Sequence, residues 1–102
     1  PAARRLPAID VEVPATDDAE TTRRWDALSK SLAADDFAGA DKTLADFLTK
    51  QPDVPTKETL RLSRALLWKS HGRAAMVTPV LQDLAANATT PAVRDRAQQA
   101  LR

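Results

Sequence analysis

Apolar and polar residues change their spacing once along this chain, near residue 16. Before that point the one regular pattern is Ile9-Asp10-Val11-Glu12-Val13, in which apolar and acidic residues alternate. A period of two is that of a half-buried strand. Pro7 and Pro14 flank the run and keep it short, and Pro1 lies further out. Two readings of residues 1–16 stand side by side: an extended linker, or an arm that docks Ile9, Val11 and Val13 onto a helical surface. So short a segment cannot form a sheet alone.

From Asp17 the period is helical. Thr16 or Asp17 supplies a cap, with Asp18 and Glu20 in the acid-favouring first turn. Trp25, Leu28 and Leu32 follow at i, i+3 and i+7, so the spacing predicts a first helix to about Ala34. Asp35-Asp36 break it, because short acidic side chains compete for backbone bonds. Phe37, Ala40, Leu44, Phe47 and Leu48 form one apolar stripe and predict a second helix, stopped by Pro52 and Pro55. A third helix follows Thr56. Its Leu60, Leu62, Ala65, Leu66, Leu67 and Trp68 cover more than one face, so it is expected to be the most buried element. It ends at His71-Gly72, where Gly72 suits a left-handed terminal position. Met76, Val77, Val80, Leu81, Leu84 and Ala85 predict a fourth helix. Pro79 interrupts that stripe, which implies either a late start capped by Thr78 or, the reading favoured here, a kinked or offset start. Thr90 caps and Pro91 opens a short fifth helix carrying Val93, Ala97, Ala100 and Leu101 on a narrow stripe.

Composition supports this reading. The chain has 102 residues, 43% of them apolar, mostly Ala and Leu, and only 2 Gly. Ala and Leu lose little on entering a helix, and hairpin turns usually want more glycine. The length suits one core and not two. Net charge is +1, which gives no long-range pull toward nucleic acid or an anionic membrane. There is no Cys, so disulfides and thiolate chemistry are excluded. No apolar run approaches the roughly 20 residues of a membrane-spanning helix, and no leader peptide is visible. An opening Pro1 in place of Met reads as a processed chain or a piece of a longer one, with any targeting segment upstream.

The second and fourth helices match each other at a shift of 37 residues: Phe37 with Ala74, Ala40 with Val77, Leu44 with Leu81, Phe47 with Leu84, Leu48 with Ala85. Periods of about 20 to 50 residues point to stacked helical repeats, which share a core between neighbours. A generic helical bundle is the alternative. On these residues the chain resembles the tetratricopeptide family over about residues 21 to 89. Asp36-Phe37 stands at the family's Asp-Tyr turn, Ala40 at its small packing position, Leu44, Phe47 and Leu48 after it, and Pro52 at its close. Trp25 lies one place off the aromatic start. In the second repeat Gly72 matches the turn glycine, and Val77, Leu81 and Leu84 follow. The chain departs from the pattern in Asp35 for Gly, in Arg73-Ala74 for Asp-Tyr, in Pro79, and in a period longer than the usual figure of about 34.

The expected fold is therefore all-α. An extended arm (1–16) precedes a helical domain (17–102) of two tetratricopeptide-like repeats of antiparallel helix pairs and a C-terminal capping helix. The resemblance implies a short concave groove lined by the first helix of each repeat. Its positions fall on Trp25, Ser29, Leu32 and Ala33, then on Leu62, Leu66, Lys69 and Ser70. Such a groove would hold a helix or an extended peptide.

Catalytic and metal chemistry find little support. His71 is the single histidine and reads as a helix-capping residue, with no acidic residue at metal-ligand spacing. Nucleophile, phosphate-loop and zinc motifs are absent. The expectation is no enzyme, no metal and no cofactor. A basic stretch, Arg61, Arg64, Lys69 and Arg73, surrounds Trp68, and Arg64 stands four residues before it, as a guanidinium stacked on the indole requires. It reads as a solvated face with a core Trp, or as an anchoring patch for an acidic partner. The leading functional expectation is a non-enzymatic protein-interaction module or scaffold within a larger protein. The Ala, Arg and Asp bias suggests a bacterial source, and the cell-envelope side is slightly favoured over the cytoplasm. The rivals are a homo-oligomerisation domain, associating through the groove or the arm, and a weak nucleic-acid binder through the Arg and Trp stretch.

Overall fold

Three aspartates start three helices in the same way. In the computed structural model, which describes residues 4–50 and 52–102, Asp18, Asp36 and Asp53 accept backbone N–H bonds from Thr21, Gly39 and Thr56, at 2.9, 3.0 and 2.9 Å. Each satisfies a donor that the first turn leaves without an intrahelical partner. They open α1 (Ala19–Ala33), α2 (Phe37–Leu48) and α3 (Val54–Ser70). The first cap is thus Asp18, not Thr16 or Asp17. The third helix begins two residues before Thr56, because Pro55 sits in its first turn, where no N–H is needed.

α4 (Ala74–Asn87) runs through Pro79 without a break. Pro79 and Ala75 are both exposed, so the Ala75 carbonyl that proline leaves without its helical donor lies on the water side. Met76, expected in the apolar stripe of α4, is instead 65% exposed. α5 (Pro91–Ala100) starts at the predicted Thr90-Pro91 pair, but the Thr90 side chain does not cap it. The capping is remote. Glu58 of α3 accepts the N–H groups of Thr89 and Thr90 at 2.7 and 2.9 Å and both their hydroxyls at 3.0 and 2.6 Å. Burial alone would raise the Glu58 carboxyl, but these four bonds hold it below its ordinary value of 4.5.

The N-terminal segment is a hairpin. β1 (Arg4–Leu6) pairs antiparallel with β2 (Val11–Val13), in the register Leu6 to Val11, Arg5 to Glu12 and Arg4 to Val13. Sequence reading found the alternation of the second strand and missed the first, since three residues of Arg-Arg-Leu carry no period. Leu6, Ile9, Val11 and Val13 are all buried. β2 packs on α3 and α5, while Arg4 of β1 reaches α1 through Asp26 at 2.7 Å and Ser29 at 3.4 Å. Arg96 of α5 clamps the hairpin turn, donating to the Asp10 and Ile9 carbonyls at 2.9 and 3.2 Å. The arm therefore docks, and the hairpin and all five helices share one apolar core.

Each helix packs on the next along the chain, with α3 and α4 making the most extensive contact. α3 is the most buried helix: Leu60, Leu62, Ala65, Leu66 and Leu67 turn inward from more than one face. Its buried Thr59 and Ser63 hydroxyls donate to the Pro55 and Thr59 carbonyls, both at 2.7 Å, so they cost no unpaired polar group. The molecule is mostly helical with a small two-stranded sheet.

Candidate interaction cleft

The two tight turns between paired helices are built alike. After α1, Asp35 takes a left-handed conformation (φ 53°), with its N–H on the Leu32 carbonyl at 3.1 Å and the Asp36 N–H on Ser31 at 2.9 Å. After α3, Gly72 (φ 81°) does the same, its N–H on Lys69 at 3.2 Å and the Arg73 N–H on Trp68 at 3.1 Å. Both are paired-bond endings that satisfy the last carbonyls of a helix through a left-handed residue. Gly72 was legible as such. Asp35 was read only as a breaker, because its carboxylate hides its conformational role.

These turns lie side by side. His71, at the end of α3, stacks its ring 4.7 Å from that of Phe37, the first residue of α2, and its Nε2 lies 3.4 Å from Asp35. Between the turns and the hairpin loop opens a cleft of about 310 Å³. Ile9, Leu32, Phe37 and Leu67 supply its apolar surface, and Asp35, Asp36 and His71 its polar rim. A smaller apolar slot of about 130 Å³, between Leu6-Pro7-Ala8 and the Ser29, Leu32 and Ala33 side of α1, shares Ala8 and Leu32 with it. The two form one furrow along the seam between hairpin and α1.

Ser70, His71 and Asp35 have the residue types of a hydrolytic triad, but their bonds do not make one. The Ser70 hydroxyl donates to the Leu67 carbonyl at 2.7 Å, while His71 Nδ1 lies 3.0 Å from that same carbonyl and 3.1 Å from the Ser70 oxygen. The serine proton is thus committed to a backbone carbonyl, and the Asp35 side chain is 88% exposed instead of buried behind the imidazole. Among the described residues no group of three or more His, Asp or Glu side chains is placed to hold a metal ion.

The groove predicted from the family resemblance is not open. Trp25, Leu32, Leu62 and Leu66 are buried, and Trp25 sets its ring edge-on to Phe47 at 5.0 Å. Ser29 is half-buried under Arg4. Lys69 donates to the Ala100 carbonyl of α5, and Ser70 is tied to its own helix. The hairpin covers part of it: β2 lies against α3, and Arg4 of β1 reaches Asp26 and Ser29 of α1, the two helices meant to line the groove. Of the predicted positions, Ser29, Leu32, Ala33 and Ser70 reach the furrow; the others belong to the core or to internal bonds.

A magnitude shows how firmly the hairpin sits. Burying four aliphatic side chains is worth roughly 6–12 kcal/mol, at about 1.5–3 kcal/mol each, as an upper estimate. That rivals the whole stability of a small domain, about 5–15 kcal/mol. A ligand that had to displace the hairpin would forfeit most of its affinity.

The basic stretch is also spoken for. Arg61 pairs with Asp83 at 3.1 Å. Arg64 and the Trp68 indole N–H both donate to Asp41 at 2.8 Å, and the Arg64 guanidinium lies 5.9 Å from the Trp68 ring centre, as the four-residue spacing implied. Burial raises the Asp41 carboxyl, but these donors and the charges of Arg64 and Arg73 bring it below its ordinary value. Arg73 stacks on Phe37 and Trp68 at 5.1 and 5.2 Å. Asp41 and Asp83, which organise this surface, were missed in the sequence because their partners are 22 or more residues away.

No helix among the described residues is long and apolar enough to cross a membrane. Comparison with protein-family models, with curated proteins and with solved structures finds no match in any of the three.

Proposed function

We propose that this chain is a non-enzymatic protein-interaction module built of tetratricopeptide-like repeats, which holds a short polypeptide segment in the furrow between hairpin and α1. The repeat reading is supported by the element boundaries. α2 and α4 start 37 residues apart, as do α3 and α5, and α1 and α3 end 37 apart in the same left-handed turn. Neighbour-on-neighbour packing is what such stacks require.

The observation that carries the interaction reading is the cleft itself: an apolar surface with a polar rim, open to solvent, at the meeting point of four elements. The occupant is held beside the hairpin and not beneath it. Self-association through the arm loses its motive once Leu6, Ile9, Val11 and Val13 are buried in the same chain. Nucleic-acid binding loses its charge, since Arg61 and Arg64 are neutralised by neighbours.

Nuclear magnetic resonance with a panel of short peptides tests the proposal. Saturable amide shifts are expected at Ser31 to Phe37 and at Ser70 to Gly72. Shifts gathered around Trp68 and Val80 instead would move the site to the α3–α4 surface and defeat it.

A further inference from the structure

We infer that the furrow takes a cationic, apolar peptide: a Lys or Arg side chain at the Asp35–His71 end, with a neighbouring aliphatic residue in the slot beside Leu6 and Pro7. This rests on the furrow being the interaction site and adds the chemistry of the partner.

Charge complementarity carries the inference. Among the described residues, no Lys or Arg lines either part of the furrow, and Asp35 and Asp36 stand on its rim. Three other clefts have basic side chains in their walls: Arg23, Arg24 and Lys50 between α1 and α2, Arg5, Arg96 and Arg102 between hairpin and α5, Arg61 and Arg64 between α3 and α4. The furrow is thus locally negative on a chain of net charge +1. The C-terminal ends of α1 and α3 both abut it, adding the negative ends of two helix dipoles. The one opposing end, the N-terminus of α2, is already covered by the Asp36 carboxylate.

The free acceptor is Asp35. Its side chain is 88% exposed, and among the described residues its one ionic neighbour is His71 at 3.4 Å, charged only when protonated. Asp36 is partly committed to capping Gly39. Phe37 and His71 offer ring faces beside the carboxylate, and the fold already uses such rings for guanidinium stacking, with Arg73 over Phe37 and Trp68. Arg73 itself is held on those rings and does not line the cleft.

The test uses the full chain and three capped tetrapeptides of equal length: acetyl-Leu-Arg-Leu-Lys-amide, the neutral Leu-Gln-Leu-Gln and the acidic Leu-Glu-Leu-Glu. The basic peptide is expected to shift the Ser31–Phe37 and Ser70–Gly72 amides saturably, and to bind more tightly than the neutral one. Asp35→Asn removes the charge and keeps a residue type that tolerates the left-handed conformation, so the fold should hold. It should weaken the basic peptide about two- to fivefold, the range of an exposed ion pair, and leave the neutral peptide unchanged. Equal or tighter binding of the neutral or acidic peptide overturns the inference while leaving the furrow as an interaction site. An unchanged affinity of the Asp35→Asn protein for the basic peptide overturns it in the same way. If no peptide of any charge moves those amides, the furrow reading falls with it.

Discussion

Gly72 and Asp35 do the same conformational work with different side chains, and single substitutions should separate their costs. A Cβ at Gly72 would meet nothing within 4 Å, so Gly72→Ala is penalised by backbone strain alone, about 1–2 kcal/mol. Asp35→Gly relieves the same kind of strain and should gain up to about 1 kcal/mol. Denaturant titrations of both variants check the pair, and the opposite sign at either position would defeat the reading. Glu58 offers a pH test. Its carboxyl is depressed in the folded state, so its contribution is complete above its unfolded value near 4.5 and is lost as pH falls through the lower folded value. Glu58→Gln should therefore melt lower than the parent at pH 7, and the gap should narrow by pH 3. Gly72 and the stacking of Arg64 on Trp68 were legible because both depend on neighbours within four residues. Glu58, Asp41 and Asp83 were not, since their partners lie 22 to 32 residues away.

At the scale of elements, periodicity located all five helices, four by a single apolar stripe and α3 by an apolar surface on more than one face. It misjudged details where two local rules compete. Pro55 looked like a stop and is a first-turn residue; Pro79 left room for a late start capped by Thr78, but the helix already begins at Ala74. Proline in a helix interior costs about 3 kcal/mol relative to Ala, part of which its stiffening of the unfolded chain returns. Pro79→Ala should accordingly stabilise the protein by about 1–3 kcal/mol, read from the midpoint of chemical denaturation. A loss of stability would mean that α4 is shaped by its proline. The hairpin is the element that local pattern could not supply. Its first strand has no period of its own and exists because Leu6 lies opposite Val11 over a ready apolar surface.

For the whole molecule, one core implies one transition. Helical circular dichroism and tryptophan fluorescence should melt together, since Trp25 lies in the core that the hairpin helps to close. Leu6→Ala should lower both transitions equally, by about 2–5 kcal/mol, as truncation of a buried leucine does. Val54→Ser, at a position 54% exposed, should stay within about 0.5 kcal/mol of the parent. A separate low-temperature transition in the Leu6→Ala protein would instead make the hairpin an independent appendage.

The sequence by itself determined the helices, their order, their short reversals and the near-cancellation of charge, since each depends on residues close in the chain or on simple composition. It also carried the 37-residue recurrence that relates α2 to α4. Which apolar residues stayed available to a partner was decided only in three dimensions. Trp25, Leu62 and Leu66 have the look of a binding face on a helical wheel, yet they are core, because other elements pack there: Phe47 of α2 against Trp25, and β2 against α3. Burial is a property of what arrives from elsewhere in the chain, and no local period encodes it.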